Sequence, residues 1–151
     1  MPFAKSKHSK IDLKDDKGCV HLFELQEIDY FEADKMGNGS CFWVNHEMFR
    51  KKETMADLVY TTGKLKLFCL VSKTQVVNVD KVVKFDHRTG CVYLRCGKTI
   101  SYSDDGLKRL KKSINLLEVE KERQLKLKLF GVLIALLAIT ALSSFIYLRA
   151  A

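Results

Sequence analysis

The 151 residues carry 26 Lys and Arg against 18 Asp and Glu, which gives a formal net charge of +8 and a pI of about 9.3. A chain of this length can form one domain with a hydrophobic core of modest size and one additional element, and it leaves no room for a second domain of similar size. The basic excess favours a polyanionic partner, either nucleic acid or an anionic lipid surface, because residues 108–128 alone contain eight basic and three acidic side chains.

The first third of the chain is dominated by strand patterns separated by turn residues. Residues 1–18 are polar and charged without periodicity, which predicts a flexible basic arm, although the part at 10–13 is a candidate first strand. Alternating apolar and polar side chains predict the next strands at 19–25, 28–33 and 41–44. In the first of these, Val20, Leu22 and Leu25 alternate with His21 and Glu24, and Phe23 is an apolar residue of the second face. Residues 34–40 contain two glycines and an asparagine, which predicts a turn of unusual backbone conformation.

The middle of the chain is organised around residues 68–83. A short helix at 54–59, capped by Thr54, precedes it. Within it, an apolar start is interrupted by the polar residues 72–75 and resumed by a β-branched strand that contains Asn78. A polar tetrad with a lysine between two packed strands is typical of a loop presented to a partner. An ordinary solvated connection is the alternative interpretation.

The next segment predicts a hairpin followed by a helix. Strands at 82–85 and 92–94 flank a turn in which Gly90 supplies a positive φ, and a third strand follows at 99–102. Ser103 is a candidate N-cap, with two aspartates in the first helical turn. The helix then carries one apolar stripe at 3-4-3 spacing, formed by Leu107, Leu110, Ile114 and Leu117.

The C-terminal segment has the composition of a membrane span. Residues 129–148 are twenty consecutive residues without a charge, enough for a helix of about 30 Å, the hydrocarbon thickness of a bilayer. Basic residues crowd its N-terminal side and only Arg149 follows it, so residues 1–128 are expected in the cytoplasm. Tyr147 suits an interfacial position. Small residues through which two spans could pack into a homodimer are Gly131, Ala135, Ala138 and Ala141.

The cysteines and histidines form no pattern of a catalytic or metal site. The five cysteines are an odd number and do not occur at paired spacings. With no N-terminal signal peptide, the reducing cytoplasm is the expected compartment. Cys91 and Cys96, which are near His87, flank a strand and point to opposite faces, so we expect no metal site. The four histidines are scattered, and there is no phosphate-binding glycine loop. We therefore expect no enzymatic activity, no cofactor and no small-molecule substrate.

The order of several motifs resembles the LytTR family of bacterial DNA-binding domains over about residues 19–112. The shared motifs are Ile28-Asp-Tyr-Phe-Glu32, Thr54-x-x-x-Leu58, the stretch from Phe68 to Asn78, Lys81-Val82, Gly97-Lys-x-Ile-x-x-Ser103 and Leu107-Lys-x-Leu110. The resemblance implies a mostly β fold, a stack of small antiparallel sheets with short helices, here continued by a C-terminal helix into a single transmembrane helix. It also implies that loops, and not a recognition helix, contact successive major grooves.

Carried over by position, the family's three contact loops place the base contacts on Asn38, on Lys73 and on Asp104 or Asp105. An asparagine amide can pair with adenine, although Asn38 between two glycines is equally well explained as a turn residue. Lys73 can contact a phosphate or a guanine. We expect Asn78 to satisfy backbone groups and not to contact DNA.

The third loop departs from the family pattern. The family commonly has Ser-Arg after the last strand, whereas this chain has Ser103-Asp104-Asp105. A carboxylate near phosphates is unfavourable unless it accepts from a cytosine amine, and helix capping accounts better for the two aspartates. The complete predicted DNA-binding set is Asn38, Lys73, Lys35, Ser72, Thr74, Ser103, Asp105, Lys108 and Arg109. Further phosphate candidates are Arg50, Lys51, Lys52, Lys98, Lys111 and Lys112.

Two functions of different class follow from these observations. The first is a membrane-tethered bacterial transcription regulator that binds double-stranded promoter DNA. It would be a single-pass protein of the inner (cytoplasmic) membrane, with a charged stalk at 113–128, and its control would come from a homodimer or from a membrane-protein regulator. The second is a membrane-anchored interaction module of the same fold that has lost DNA recognition and binds a signalling partner or anionic lipid.

Overall fold

The computed structural model describes residues 10–36, 39–63 and 67–150, and it confirms a mostly β fold. Side chains at 61–63 and 142–150, including the predicted interfacial Tyr147, lie outside the described part. The elements in chain order are β1 (Lys10–Lys14), β2 (Val20–Glu24), β3 (Tyr30–Ala33), β4 (Ser40–Val44), β5 (Glu47–Lys51), α1 (Met55–Gly63), β6 (Phe68–Leu70), β7 (Gln75–Asn78), β8 (Val82–Asp86), β9 (Cys91–Leu94), β10 (Thr99–Ser101) and α2 (Asp104–Ala150).

The strands form two antiparallel sheets. The larger has seven strands in the order β2-β1-β5-β4-β3-β7-β6, and the smaller has three in the order β10-β9-β8. The β4–β5 hairpin is closed by Asn45 and His46, both at positive φ (48° and 74°), the backbone that a two-residue hairpin turn requires. Gly90 has a φ of +65° in the β8–β9 hairpin, as the sequence predicts.

The central strands of the seven-stranded sheet carry buried side chains on both faces, and successive side chains of each strand point to opposite sides. On one face, Phe31 stacks on Phe42 with ring centroids 4.9 Å apart, and Leu58 of α1 packs into the same cluster. On the other face, Tyr30 stacks on Trp43 at 5.7 Å. Lys98, in the turn between β9 and β10, lies over the Trp43 ring, so the smaller sheet lies on this side.

The strand β2 is present as predicted, but of the three apolar side chains named for it only Leu25, directly after the end of the strand, is buried. Val20 and Leu22 are 62% and 66% exposed. The opposite face turns inward, and Phe23 packs edge-on against Phe49 with ring centroids 4.7 Å apart. β2 is the edge strand of the sheet and pairs with β1. Both faces of β2 carry apolar side chains, and the position of the neighbouring strands decides that the face with Phe23 turns inward.

The chain divides into two compact units, residues 1–114 and 115–151. The first contains all of the strands and the beginning of α2, where Leu110 is fully buried. The second is the remainder of α2. Its apolar segment yields an 18-residue window with a mean hydropathy of 1.8 and no buried residues, so it is a candidate membrane span by length and composition.

Candidate nucleic-acid interface

Two of the three predicted contact loops leave the same end of the seven-stranded sheet. The first loop (residues 34–39) follows β3, and the second loop (residues 71–74) precedes β7. β3 and β7 are antiparallel neighbours, with Glu32 opposite Gln75. The backbone N–H of Ala33 donates to the carbonyl of Thr74 at 2.9 Å. The end of one loop is therefore fixed beside the end of the other by the sheet itself.

The third loop (residues 102–103) is docked onto the second. The backbone N–H of Ser103 donates to the Val71 carbonyl at 2.9 Å, and its hydroxyl reaches the same oxygen at 3.3 Å. Gly106, in the first turn of α2, lies so close to Val71 that a Cβ there would collide with this carbonyl. The structure thus brings all three predicted loops to one end of the β domain.

The first loop is held at its base by the main chain. The N–H of Asp34 donates to the Gly39 carbonyl at 3.0 Å, and the Asp34 carboxylate accepts from the Met36 N–H at 2.9 Å. Gly39 itself is required by close packing, since a Cβ would lie 2.6 Å from the Lys51 carbonyl. Lys35 is exposed on this loop. Asn38, the predicted adenine contact, lies outside the described residues.

The second loop combines an exposed tip with an internally bonded base. Lys73 and Thr74 are exposed. The Ser72 hydroxyl donates to the Gln75 side chain and accepts from the Thr74 N–H, both at 3.4 Å. Gln75 in turn donates to the Glu32 carboxylate at 3.0 Å. The sequence interpretation missed this role of Gln75, which only the pairing of β3 with β7 makes visible.

At the third loop, the side chains are engaged in capping and docking. The Ser103 hydroxyl accepts from the Gly106 N–H at 3.1 Å, which confirms it as the N-cap of α2. Nε of Arg109 donates to the Leu70 carbonyl at 3.1 Å, so this guanidinium also ties α2 to the second loop. Asp105 is exposed and lies 3.8 Å from Lys108, which is equally exposed.

The sequence model of the LytTr DNA-binding domain family matches residues 18–115 of this chain. This chain belongs to the LytTR DNA-binding domain family. Among solved structures, the chain is similar to the LytTr DNA-binding domain of a methyl-accepting/DNA response regulator from Bacillus cereus, at 16% identity and a TM-score of 0.60. That similarity covers 70% of this chain and 96% of the other, and it shows the fold. No curated protein matches the chain.

The charges at the loop end of this LytTR domain are mixed. Exposed cations there include Lys35, Lys73, Lys108 and Arg109, while the exposed carboxylates of Asp104 and Asp105 stand at the start of α2. A LytTR domain has a DNA-binding fold and not an enzyme fold. The electrostatic attraction to phosphates at this end therefore depends on a few lysines and one arginine.

Two of the additional phosphate candidates have other partners. Nζ of Lys51 lies 3.0 Å from the Asp12 carboxylate and 3.3 Å from that of Glu53, and only 17% of the side chain is exposed. The hydrogen bond from Lys51 holds the pKa of Asp12 below its ordinary value. Lys98 lies over the Trp43 ring at 5.6 Å. Lys51 is therefore a structural cation of the LytTR domain, contrary to its prediction as a phosphate contact.

Asn78 has the structural role that the sequence predicts. It is fully buried at the end of β7. Its amide donates to the Ile28 carbonyl at 2.8 Å, and its side-chain oxygen accepts from the Asp80 N–H at 3.0 Å. A second buried polar group, Asp29, was not anticipated. Its carboxylate accepts from the Asn45 N–H at 3.0 Å and lies 3.6 Å from Lys81.

Proposed function

We propose that the end of the domain formed by the three loops binds double-stranded DNA, and that the protein is a bacterial transcription regulator tethered to the inner membrane. The observation that carries this proposal is the docking of the loops onto one another through Thr74, Val71 and Ser103. Loops that main-chain hydrogen bonds already hold in place do not have to become ordered when they bind a duplex, which lowers the entropic cost of binding.

Each predicted contact residue in the described part of the domain has a role that suits its exposure. Lys73, exposed on the second loop, contacts a guanine edge or a phosphate. The cations of Lys35, Lys108 and Arg109 contact phosphates, and Asn38 contacts an adenine. The hydroxyls of Ser72 and Ser103 serve mainly to hold the loops, since both are engaged internally, whereas the exposed Thr74 hydroxyl is available to a phosphate.

The tether is the apolar part of α2. Its window has a mean hydropathy of 1.8 and no buried side chains, and a fully apolar exposed helix is stable only in lipid or in an assembly. The lysines and arginines on its N-terminal side support a cytoplasmic position of the LytTR domain. A homodimer formed through the spans, or a membrane-protein regulator that binds them, would control DNA binding, and a dimer would add avidity.

The test is the binding of the full chain, in detergent micelles, to duplexes selected from genomic DNA. We expect a salt-dependent interaction with an enriched sequence, and we expect Lys73→Ala to weaken it by about tenfold and lower the salt slope by about 1. Lys17→Ala is the matched control, because Lys17 is also exposed but lies in the β1–β2 turn, outside the three contact loops. The absence of any enriched sequence and of salt-dependent binding would refute the proposal and favour the interaction module.

Asp105 is tested separately. If its carboxylate only opposes the phosphates, Asp105→Ser raises affinity for every duplex a few-fold and steepens the salt dependence. If it accepts from a cytosine amine, the same substitution weakens binding to the selected sequence and leaves other duplexes unchanged.

A further inference from the structure

The segment of α2 that immediately precedes the candidate span carries three exposed cations and no acid. Arg123, Lys126 and Lys128 are exposed, and the acids of the stalk at positions 118, 120 and 122 all come earlier in the helix. At a rise of about 1.5 Å per residue, the three cations lie within about 9 Å of Leu129, the first residue of the apolar segment. The interfacial layer of a bilayer is about 5–8 Å thick on each side, so all three side chains can reach it.

The three cations surround the helix and do not form a stripe along it. With about 100° of rotation per residue, Lys126 and Lys128 are turned by about 300° and 140° from Arg123, so no gap between them exceeds about 160°. Lipids surround a spanning helix on all sides, whereas a duplex can approach it from one side only. The arrangement of Arg123, Lys126 and Lys128, here called the basic collar, therefore fits a layer of headgroups better than a double helix.

The leucines of the same segment alternate with the basic collar. Leu125, Leu127 and Leu129 are 59%, 57% and 61% exposed and also point in different directions around the axis. A helix that lies flat on a membrane separates apolar and charged side chains onto two faces, which this segment does not do. Alternation suits a helix that crosses the interface, with the apolar stems of its cations among acyl chains and their charged ends among phosphates.

We propose that the basic collar binds the phosphate groups of anionic lipids in the cytoplasmic leaflet. This inference rests on the membrane span of the proposed function. A negative membrane surface repels a duplex within about 10 Å, roughly one Debye length, so DNA is excluded from the region that the basic collar occupies. The stalk and the loops consequently serve two different polyanions: lipid phosphates at residues 123–128, and DNA phosphates at the loop end of the LytTR domain.

The experiment reconstitutes the full chain into phosphatidylcholine vesicles that contain a trace of spin-labelled phosphatidylglycerol or spin-labelled phosphatidylcholine. The fraction of motionally restricted label gives the association constant of one lipid relative to the other. For the wild-type protein at low salt we expect phosphatidylglycerol to be favoured by about fivefold for each cation that contacts a headgroup. This preference should decline towards 1 as salt is raised, because exposed charges are screened.

Three variants make the result specific. Replacing Arg123, Lys126 and Lys128 together by Gln should reduce the relative association constant to about 1. Exchanging Arg for Lys and Lys for Arg at the same three positions retains the charge and should retain the preference. The matched control replaces Lys10, Lys14 and Lys17 by Gln, three exposed lysines at the other end of the sequence, and should leave the preference unchanged.

Two results would overturn the inference: a wild-type relative association constant of 1, or a preference that survives the triple Gln substitution. Loss of duplex binding in the triple Gln variant, with no lipid preference in the wild type, would instead assign these cations to DNA. Flotation of the vesicles distinguishes a failure of this inference from a failure of the proposed membrane tether. A chain that does not float with phosphatidylcholine vesicles lacks the span, in which case the tether and the inference both fail.

Discussion

Gly106→Ala is the sharpest test of how the third loop is attached to the second. In an exposed helix, Gly→Ala stabilises by about 1 kcal/mol, because glycine loses more backbone entropy on folding. Gly106 is buried in the first turn of α2, and a Cβ there would collide with the Val71 carbonyl. The close approach of the second loop therefore predicts an effect of the opposite sign.

The magnitude follows from three contributions. Forcing a methyl group against a backbone oxygen costs about 2 kcal/mol, as in overpacked cores. Displacing Val71 weakens the hydrogen bond that its carbonyl accepts from the Ser103 N–H, which costs about 1 kcal/mol more. The gain of about 1 kcal/mol in helix propensity opposes these terms. The net destabilisation is about 2 kcal/mol, or a fall of about 8–16 °C in the melting temperature of a domain of this size.

Trp43, the only tryptophan of the chain, reports on this unfolding because it is stacked on Tyr30 in the centre of the seven-stranded sheet. Its fluorescence would be followed against temperature for the full chain in detergent. The matched control is Gly131→Ala, since a Cβ at Gly131 meets nothing within 4 Å, and the melting temperature of the β domain should not change. Duplex affinity should fall about tenfold in the Gly106 variant, because the second and third loops no longer keep their spacing. An unchanged or higher melting temperature for Gly106→Ala would refute the reasoning.

Two further predictions concern buried groups. Asn78→Ala should destabilise the domain by roughly 2–4 kcal/mol in denaturant unfolding, because it removes two hydrogen bonds of a buried side chain, to the Ile28 carbonyl and from the Asp80 N–H. The matched control Asn115→Ala, at an exposed position, should change stability by less than about 0.5 kcal/mol. A cost for Asn78→Ala as small as that of Asn115→Ala would contradict its structural role. Burial raises the pKa of the Cys41 and Cys69 thiols, so their thiolate fraction at a given pH is smaller and their alkylation should shift to higher pH. Mass spectrometry after iodoacetamide treatment at pH 8 should find the exposed Cys19 modified first, and equal rates for Cys19 and Cys69 would show that the thiol is not buried.

The sequence was sufficient for features that depend on neighbouring residues. Ser103 was predicted as a cap because a hydroxyl before two aspartates suits the first turn of a helix, and the Gly90 turn followed from the positive φ of a hairpin. Asn78 was predicted to satisfy backbone groups because it ends a strand of buried valines. The groups that Ser103 and Gly90 serve lie nearby in the chain, whereas the Asn78 amide donates to the Ile28 carbonyl, 50 residues earlier, so the sequence indicates its role but not this partner.

Features that depend on distant partners could not be predicted. Lys51 was a candidate phosphate contact until the fold placed it against Asp12, 39 residues earlier. Gln75 and Glu32 are 43 residues apart and meet only because β3 pairs with β7. Nothing near Gly106 in the sequence indicates why a glycine is needed there, because the group that a Cβ would meet, the carbonyl of Val71, belongs to another loop. The face of β2 that turns inward could not be predicted, because both of its faces carry apolar side chains and only the order of the strands decides between them.

The attachments of the three loops also explain how the fold can be shared with a structure that is only 16% identical in sequence. The first loop is joined to the second through Ala33 and Thr74, and the second to the third through Val71 and Ser103, and the bonds that do this are largely between backbone groups. Backbone groups are supplied by almost any residue, so side chains at the exposed tips can vary without altering where the loops lie. The exposed carboxylates of Asp104 and Asp105 therefore set the charge at this end of the domain and leave the scaffold unchanged. A difference in DNA affinity between this chain and other LytTR domains should consequently appear in the salt dependence of binding and not in the stability of the domain.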